Sequence, residues 1–307
     1  MPTFREKENR CRLSFANGGP YWHLYTAGRD TPLIFTSPDE FAFAMNVIAQ
    51  TTIEHNGLRI ITFEIMGNHM HILAEGPRAI LLNAFTFMRK RLSRGLKETH
   101  PGGLPGNFRP ELKAITELEA LRNTIAYINR NGFVADSNHT PYSYPWGAGR
   151  YFFGAGAQAT SRFRDSTTLQ RRRMFRGRVP KIPEEWPVGN GYILPPAYCL
   201  IDFGKAMFRD AYHYFALLSR NIEAYAELAV ELDDGEFLND AELFARLKSI
   251  LQSDYSGAAI HDLTGLQKYD LARRLRRDFR SSNGQIRRLL ALTRHEVDTL
   301  FPQSSKA

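Results

Sequence analysis

Apolar positions along this chain change their period several times before about residue 135 and settle into a helical period from Pro195 onward. Tyr21 to Thr26 (YWHLYT) is a run of aromatic and β-favouring side chains behind the turn residues Gly18, Gly19 and Pro20, which predicts a first strand. Ser37, Pro38 and Glu40 stand in the order of an N-cap, a first helical position and a capping-box partner, so a helix should run to about His55 and end at Asn56-Gly57. Leu58 to Met66 and His69 to Ala74 are β-rich runs separated by Gly67-Asn68, a dipeptide suited to a tight antiparallel turn. Arg78 to Lys97 reads as a second helix with a basic outer face of Arg89, Lys90, Arg91, Arg94 and Lys97. Asn107 to Ile115 reads as a strand that Pro110 confines to a sheet edge. Thr116 and Glu119 predict a capping box on a third helix, from about Glu117 to Arg130, halted by Asn131-Gly132.

Strand, helix, strand, strand, helix, strand, helix is the split βαβ order, so the fold expected is α+β: a ferredoxin-like antiparallel sheet with flanking helices and one helix appended. A domain over 1–150, a basic linker over 151–194 and an all-α region over 195–307 are the expected divisions, with no internal repeat. That last region ends in a basic helix around Tyr269 to Arg280. Ser281 to Leu290, a break at Ala291-Leu292 and Thr293 to Phe301 with Thr293 as cap then predict a helix-turn-helix within 266–302.

Composition adds a core and a charge map. The chain has 307 residues, is 43% apolar and carries 21 Phe and 13 Tyr, enough to bury a substantial interior. Its formal net charge of +8 suits a polyanionic partner without naming one. The surplus is local: +4 over 1–161, +7 over 162–181, −9 over 182–265 and +6 over 266–307. Residues 170–181 (QRRRMFRGRVPK) therefore read as a flexible basic linker for backbone phosphates, with Arg171, Arg172 and Arg173 at its centre, and the acidic stretch as a helical spacer. Two cysteines, Cys11 and Cys199, argue against a disulfide framework and a Cys-based zinc site. A charged N-terminus without an apolar segment, and no run of 18 apolar residues, argue against export and membrane spanning, so a cytoplasmic, nucleoid-associated protein is expected.

The strongest chemical signal is His69-Met70-His71. On a strand the period of two puts both imidazoles on one face, where they could share a cation or serve as ordinary hydrogen-bonded histidines. Tyr127 and Asn131 lie four apart on the third helix and project from one side of it, a phenol and an amide. Tyr21, His23 and Tyr25 share a strand face and either stack on bases or belong to the core. The sequence has neither a GxxxxGK[ST] nor an H-E-x-x-H motif, so nucleotide-driven and ordinary metallopeptidase chemistry find no support.

MGNHMHILAEG at 66–76, AYINRNGFVAD at 126–136 and PYSYPW at 141–146 together resemble the HUH endonucleases with a single catalytic tyrosine, and within them the REP-associated tyrosine transposases. The resemblance spans about residues 18–150. It implies His69 and His71 as metal ligands, Asn131 as the third ligand, Tyr127 as nucleophile and Mg²⁺ or Mn²⁺ as cofactor. It also implies single-stranded or hairpin DNA as substrate and a 5′-phosphotyrosine intermediate, with a homodimer left open. DNA contacts are expected from Tyr21, His23 and Tyr25, from Arg89, Lys90, Arg91 and Arg94, and from Arg171, Arg172 and Arg173. In the helix-turn-helix they are expected from Gln285, Arg287, Arg288, Arg294 and His295. Two alternatives stay open: a replication-initiator nickase, and a DNA-binding regulator with an idle centre.

Overall fold

The computed structural model describes residues 2–28, 31–135, 143–220, 238, 240–279 and 281–302. Residues 136–142, within the segments singled out above, Arg280 of the basic helix and 221–237 of the acidic stretch lie outside the described residues. The chain forms two compact units, Met1–Asn221 and Ile222–Ala307.

The first unit opens with α1 (Phe4–Ala16) and β1 (Tyr21–Tyr25). It continues with α2 (Pro38–Glu54), β2 (Arg59–Ile65), β3 (Met70–Glu75), α3 (Arg78–Gly95), β4 (Glu111–Ile115) and α4 (Leu118–Ala135). The four strands form one antiparallel sheet in the order β2-β3-β1-β4, the split βαβ arrangement, with β4 at an edge directly after Pro110. Local chemistry decides most of these elements. Ser37 accepts from the Glu40 backbone N–H, the Glu40 side chain answers the cap, and Pro38 occupies the first turn of α2. In the hairpin, Met66 donates to the His69 carbonyl at 2.8 Å, so Gly67 and Asn68 are the central turn residues.

Pairing places Tyr25 opposite His71 and His71 opposite Glu64, with His23, Leu73 and Thr62 in the next row. Directly opposed residues share a face, so Tyr25, His23, His71, Glu64 and Thr62 form one polar, buried face, and α4 lies over it. The other face carries Leu24, Phe63, Ile65, Met70 and Ile72, equally buried, and is left to the α2–α3 pair.

Three features depart from the sequence reading. Helix α1 was not anticipated, because it buries only Cys11 and shows no apolar stripe. It docks by charge: the Arg122 guanidinium on α4 holds both Glu8 carboxylate oxygens at 3.0 Å, and Lys7 reaches Asp210 at 2.8 Å. Helix α4 does not stop at Asn131-Gly132 but runs to Ala135. The segment 151–194 is no flexible linker. It contains a small antiparallel sheet of β5 (Ser161–Arg162), β6 (Pro187–Gly189) and β7 (Tyr192–Ile193), and the capped helix α5 (Thr168–Met174). Its Phe163, Met174, Phe175 and Tyr192 are core, and Asn46 of α2 donates to the Met174 and Gly191 carbonyls. Helices α6 (Ile201–Ala206) and α7 (Ala211–Arg220) complete the unit.

At the start of α7, His213 accepts from the Arg209 backbone N–H at 3.3 Å. Burial, with Arg209 and Arg122 nearby, pushes its imidazole from 6.5 down to about 4. Between those values the unfolded chain binds a proton that the folded chain does not. Stability contributed by neutral His213 is therefore complete above about pH 6.5 and is lost as pH falls toward about 4. Urea unfolding at several pH values should show wild type losing more stability than His213→Gln between neutrality and pH 4.5; parallel curves would refute it.

The second unit comprises α8 (Asp240–Asp254), α9 (Gly265–Phe279), α10 (Asn283–Leu290) and α11 (Arg294–Leu300). Ser282 and Thr293 each close a capping box, with Gln285 and Glu296, and Ala291 turns the chain between the two helices at φ 51°. The predicted helix-turn-helix pattern has this local cause. Leu271, Leu275, Ile286, Leu290 and Val297 form its interior. Among the described residues no helix is long and apolar enough to cross a membrane.

Candidate functional site

The polar face of the sheet gathers the residues that the sequence singled out. His71 leaves the middle of the hairpin, and the Tyr127 ring meets it edge-on from α4, centroids 5.7 Å apart. His69, one residue before β3, stands perpendicular to His71 at 5.0 Å. Asn131 follows Tyr127 by one turn of α4. The two imidazoles and the phenol thus belong to one cluster, with the amide on the same helix.

The neighbours set the histidine tautomers. Asn68 donates its amide to the Gly28 and Thr31 carbonyls at 2.8 and 3.0 Å, which turns its oxygen toward His69 Nδ1 at 2.7 Å. An amide oxygen only accepts, so His69 donates from Nδ1 and carries its lone pair on Nε2. Gly28 permits this approach, since a Cβ there would lie 2.8 Å from His69 Nδ1. His71 Nδ1 lies 3.1 Å from His23 Nε2. If His71 donates in that pair, its Nε2 likewise carries the lone pair. Sequence reasoning missed this role for His23.

It also missed Glu64, the only acid in the apolar run LRIITFEIM and therefore open to notice. Glu64 is buried directly opposite His71 and accepts the Gly132 backbone N–H at 2.6 Å. Burial pushes its carboxyl well above the ordinary carboxylate range, against the opposing effect of that hydrogen bond. The bond ties β2 to the α4 turn that carries Asn131.

Gly132 has a packing reason to be glycine. A Cβ would sit 2.1 Å from the Tyr144 ring, whose hydroxyl donates to the Ile65 carbonyl at 2.8 Å. Gly132→Ala should therefore destabilise the fold by roughly 1–3 kcal/mol through overpacking, despite the helix propensity of about 1 kcal/mol that alanine adds. A urea midpoint at or above wild type would refute this.

Could the cluster hold a metal? Among the described residues no group of three or more His, Cys, Asp or Glu side chains is placed to do so. The available set is two imidazoles and an amide. The Asn131 side-chain nitrogen is buried without a hydrogen-bond partner among the described residues, and half a rotation of the amide would present its oxygen at that place. Nitrogen and amide-oxygen donors suit a divalent cation, so the residues present fit one.

The expected DNA contacts divide by burial. Tyr21, His23 and Tyr25 are core and offer no face to a base, which corrects the stacking alternative. Burial pushes the Tyr21 phenol up to about 12. Arg89 fastens a loop by donating to the Phe108 and Pro105 carbonyls, and Arg91 donates to Gln50 and the Phe175 carbonyl. Arg171 is held by Glu184 and lies over the Phe163 ring. Gln285 is buried, donating to the Leu238 carbonyl, and Arg288 pairs with Asp240. Arg89, Arg91, Arg171 and Gln285 are structural contacts, whereas Arg288 stays exposed beside its Asp240 partner. Lys90, Arg94, Arg172, Arg173, Arg287, Arg294 and His295 are exposed.

No protein-family model matches the chain, and no curated protein matches it. Among solved structures, that of a REP-associated tyrosine transposase bound to a REP hairpin is similar at 13% identity and a TM-score of 0.37, covering 56% of this chain and 94% of that one.

Proposed function

We propose that this chain is a divalent-metal-dependent single-strand DNA endonuclease and strand transferase that acts on hairpin-forming DNA through a 5′-phosphotyrosine. The observation that carries the reading is the edge-on meeting of Tyr127 with His71 at 5.7 Å, beside a second imidazole whose lone pair is directed to Nε2. His69, His71 and Asn131 would hold Mg²⁺ or Mn²⁺, and such a cation, when bound, polarises a phosphate oxygen.

The chain's own residues supply the rest. The Tyr127 oxygen loses its proton and attacks phosphorus, the P–O3′ bond breaks, and one strand leaves with a 3′-hydroxyl. Attack by another 3′-hydroxyl reverses the step and frees the tyrosine, so joining needs no nucleotide. His23 orients His71, and the Glu64 bond to the Gly132 N–H holds the Asn131 turn against the sheet. In the second unit, Arg294 and His295 are exposed where a groove-reading helix would begin, Arg287 is exposed in the last turn of the helix before it, and all three would contact DNA.

A second reading rests on a different observation. Tyr127 is only 1% exposed, so attack requires the site to open. A phenol that stays covered makes the chain a DNA-binding regulator with an idle centre. Incubation with single-stranded hairpin DNA and Mg²⁺ separates the two: a protein–DNA adduct that survives SDS supports the transferase. No adduct across a broad panel of hairpins and single strands leaves the regulator.

A further inference from the structure

Two basic segments far apart in sequence meet on the first unit. Arg91 of α3 donates to the Phe175 carbonyl at 3.0 Å across 84 residues, and Arg176 returns a bond to the Gly95 carbonyl at 2.9 Å across 81. Asn46 bonds the Met174 carbonyl beside them, and the Arg176 guanidinium lies over the Phe43 ring of α2. The end of α5 is thus fixed against the C-terminal half of α3, and the arginines that fix it are committed to the fold.

The cations around this joint are differently placed. Lys90 and Arg94 on α3, Lys97 just beyond it, Arg172 and Arg173 on α5, and Arg178 after it are all exposed. None forms an ion pair with a described residue, whereas Arg162, Arg164 and Arg171 in the same region are held by Glu184 and Glu185. At the joint itself, burial pushes the Arg91 guanidinium down and Arg94 adds to this, with Glu54 opposing. Exposed like charges that no carboxylate pairs with repel, and an external polyanion relieves the repulsion.

We propose that these six side chains form one surface that binds the phosphate backbone of a nucleic-acid duplex, on the layer of the sheet opposite α4 and apart from Tyr127. The lack of exposed rings favours a duplex over a single strand. Among the described residues of this unit the large exposed apolar side chains are Phe4, Leu13, Leu33, Ile53, Leu169 and Tyr212. None lies on α3 and only Leu169 lies on α5. A single-strand site needs stacking platforms, and a membrane-surface helix needs an apolar face; this surface has neither. The inference is independent of the cleavage chemistry.

The test uses the full chain in EDTA, where no cleavage competes, and compares wild type with a Lys90→Gln, Arg94→Gln, Arg172→Gln, Arg173→Gln variant. Binding to blunt DNA and RNA duplexes of one sequence, to the single strand and to phosphatidylglycerol vesicles is followed from low to high salt. For at least one duplex the slope of log affinity against log salt should shrink by about 3 to 4, near 0.9 for each phosphate that the variant no longer neutralises. Thermal unfolding should stay at the wild-type temperature. A Lys90→Arg, Arg94→Lys variant, which keeps the charge, should keep the slope. The surface is refuted as a duplex site if the duplex slopes do not change, if the single strand loses as much as the duplex, or if the loss falls on the vesicles instead.

Discussion

Tyr127→Phe is expected to remove the SDS-resistant adduct completely while leaving the folded chain intact. The substitution deletes one oxygen and keeps the ring, so the edge-on contact with His71 and the burial of the side chain persist. The stability cost should be about that of one hydrogen bond, ~1 kcal/mol. The chemical cost is of another order, since no other atom can form the bond to phosphorus; loss of a catalytic nucleophile slows turnover on the order of 10⁶-fold. Denaturing gels with labelled hairpin DNA, beside thermal unfolding of both proteins, make the comparison. An adduct of undiminished yield in the variant would place the nucleophile elsewhere, with Tyr144 the next phenol to replace because its ring packs on Gly132.

Elements settled by local chemistry were legible in the sequence. Ser37-Pro38 with Glu40, Gly67-Asn68, Pro110 before the edge strand and the Thr293 cap each act within a few residues, and each sits where the sequence places it. Tertiary contacts produced the rest. Helix α1 is held by Glu8 on Arg122, a partner 114 residues away, and carries no periodic signal. Gly132 reads as a helix stop, yet its absent side chain makes room for Tyr144 within a continuing helix. Gln285 reads as a polar contact on a recognition motif, yet it is the third residue of a capping box and is buried against Leu238.

The candidate site was legible in outline for a related reason. Period two and period 3.6 say which side chains share a face, so His71, Tyr127 and Asn131 could be singled out. Neither period says how deep a face lies. Tyr21, His23 and Tyr25 share a strand face, and that face proved to be the floor beneath α4. His23 and Glu64 acquired their places only through strand pairing, with Leu73 and His71 respectively.

The His69→Ala, His71→Ala pair should abolish cleavage and spare DNA affinity, because the two properties reside in different side chains. Affinity for a phosphate backbone comes chiefly from exposed Lys and Arg, not from imidazoles. Cleavage needs the donors that would hold the cation, and two of those three are these imidazoles. His71 is completely buried, so its truncation also leaves a void beside Tyr127. A His69→Gln, His71→Gln pair fills more of that volume and distinguishes missing chemistry from missing packing. Both pairs should bind the hairpin within a few-fold of wild type at fixed salt, form no adduct with Mg²⁺ or Mn²⁺, and lose Mn²⁺ binding by calorimetry. If the glutamine pair loses hairpin affinity as steeply as it loses cleavage, the histidines hold the fold together. If it binds Mn²⁺ as wild type does, the cation lies elsewhere.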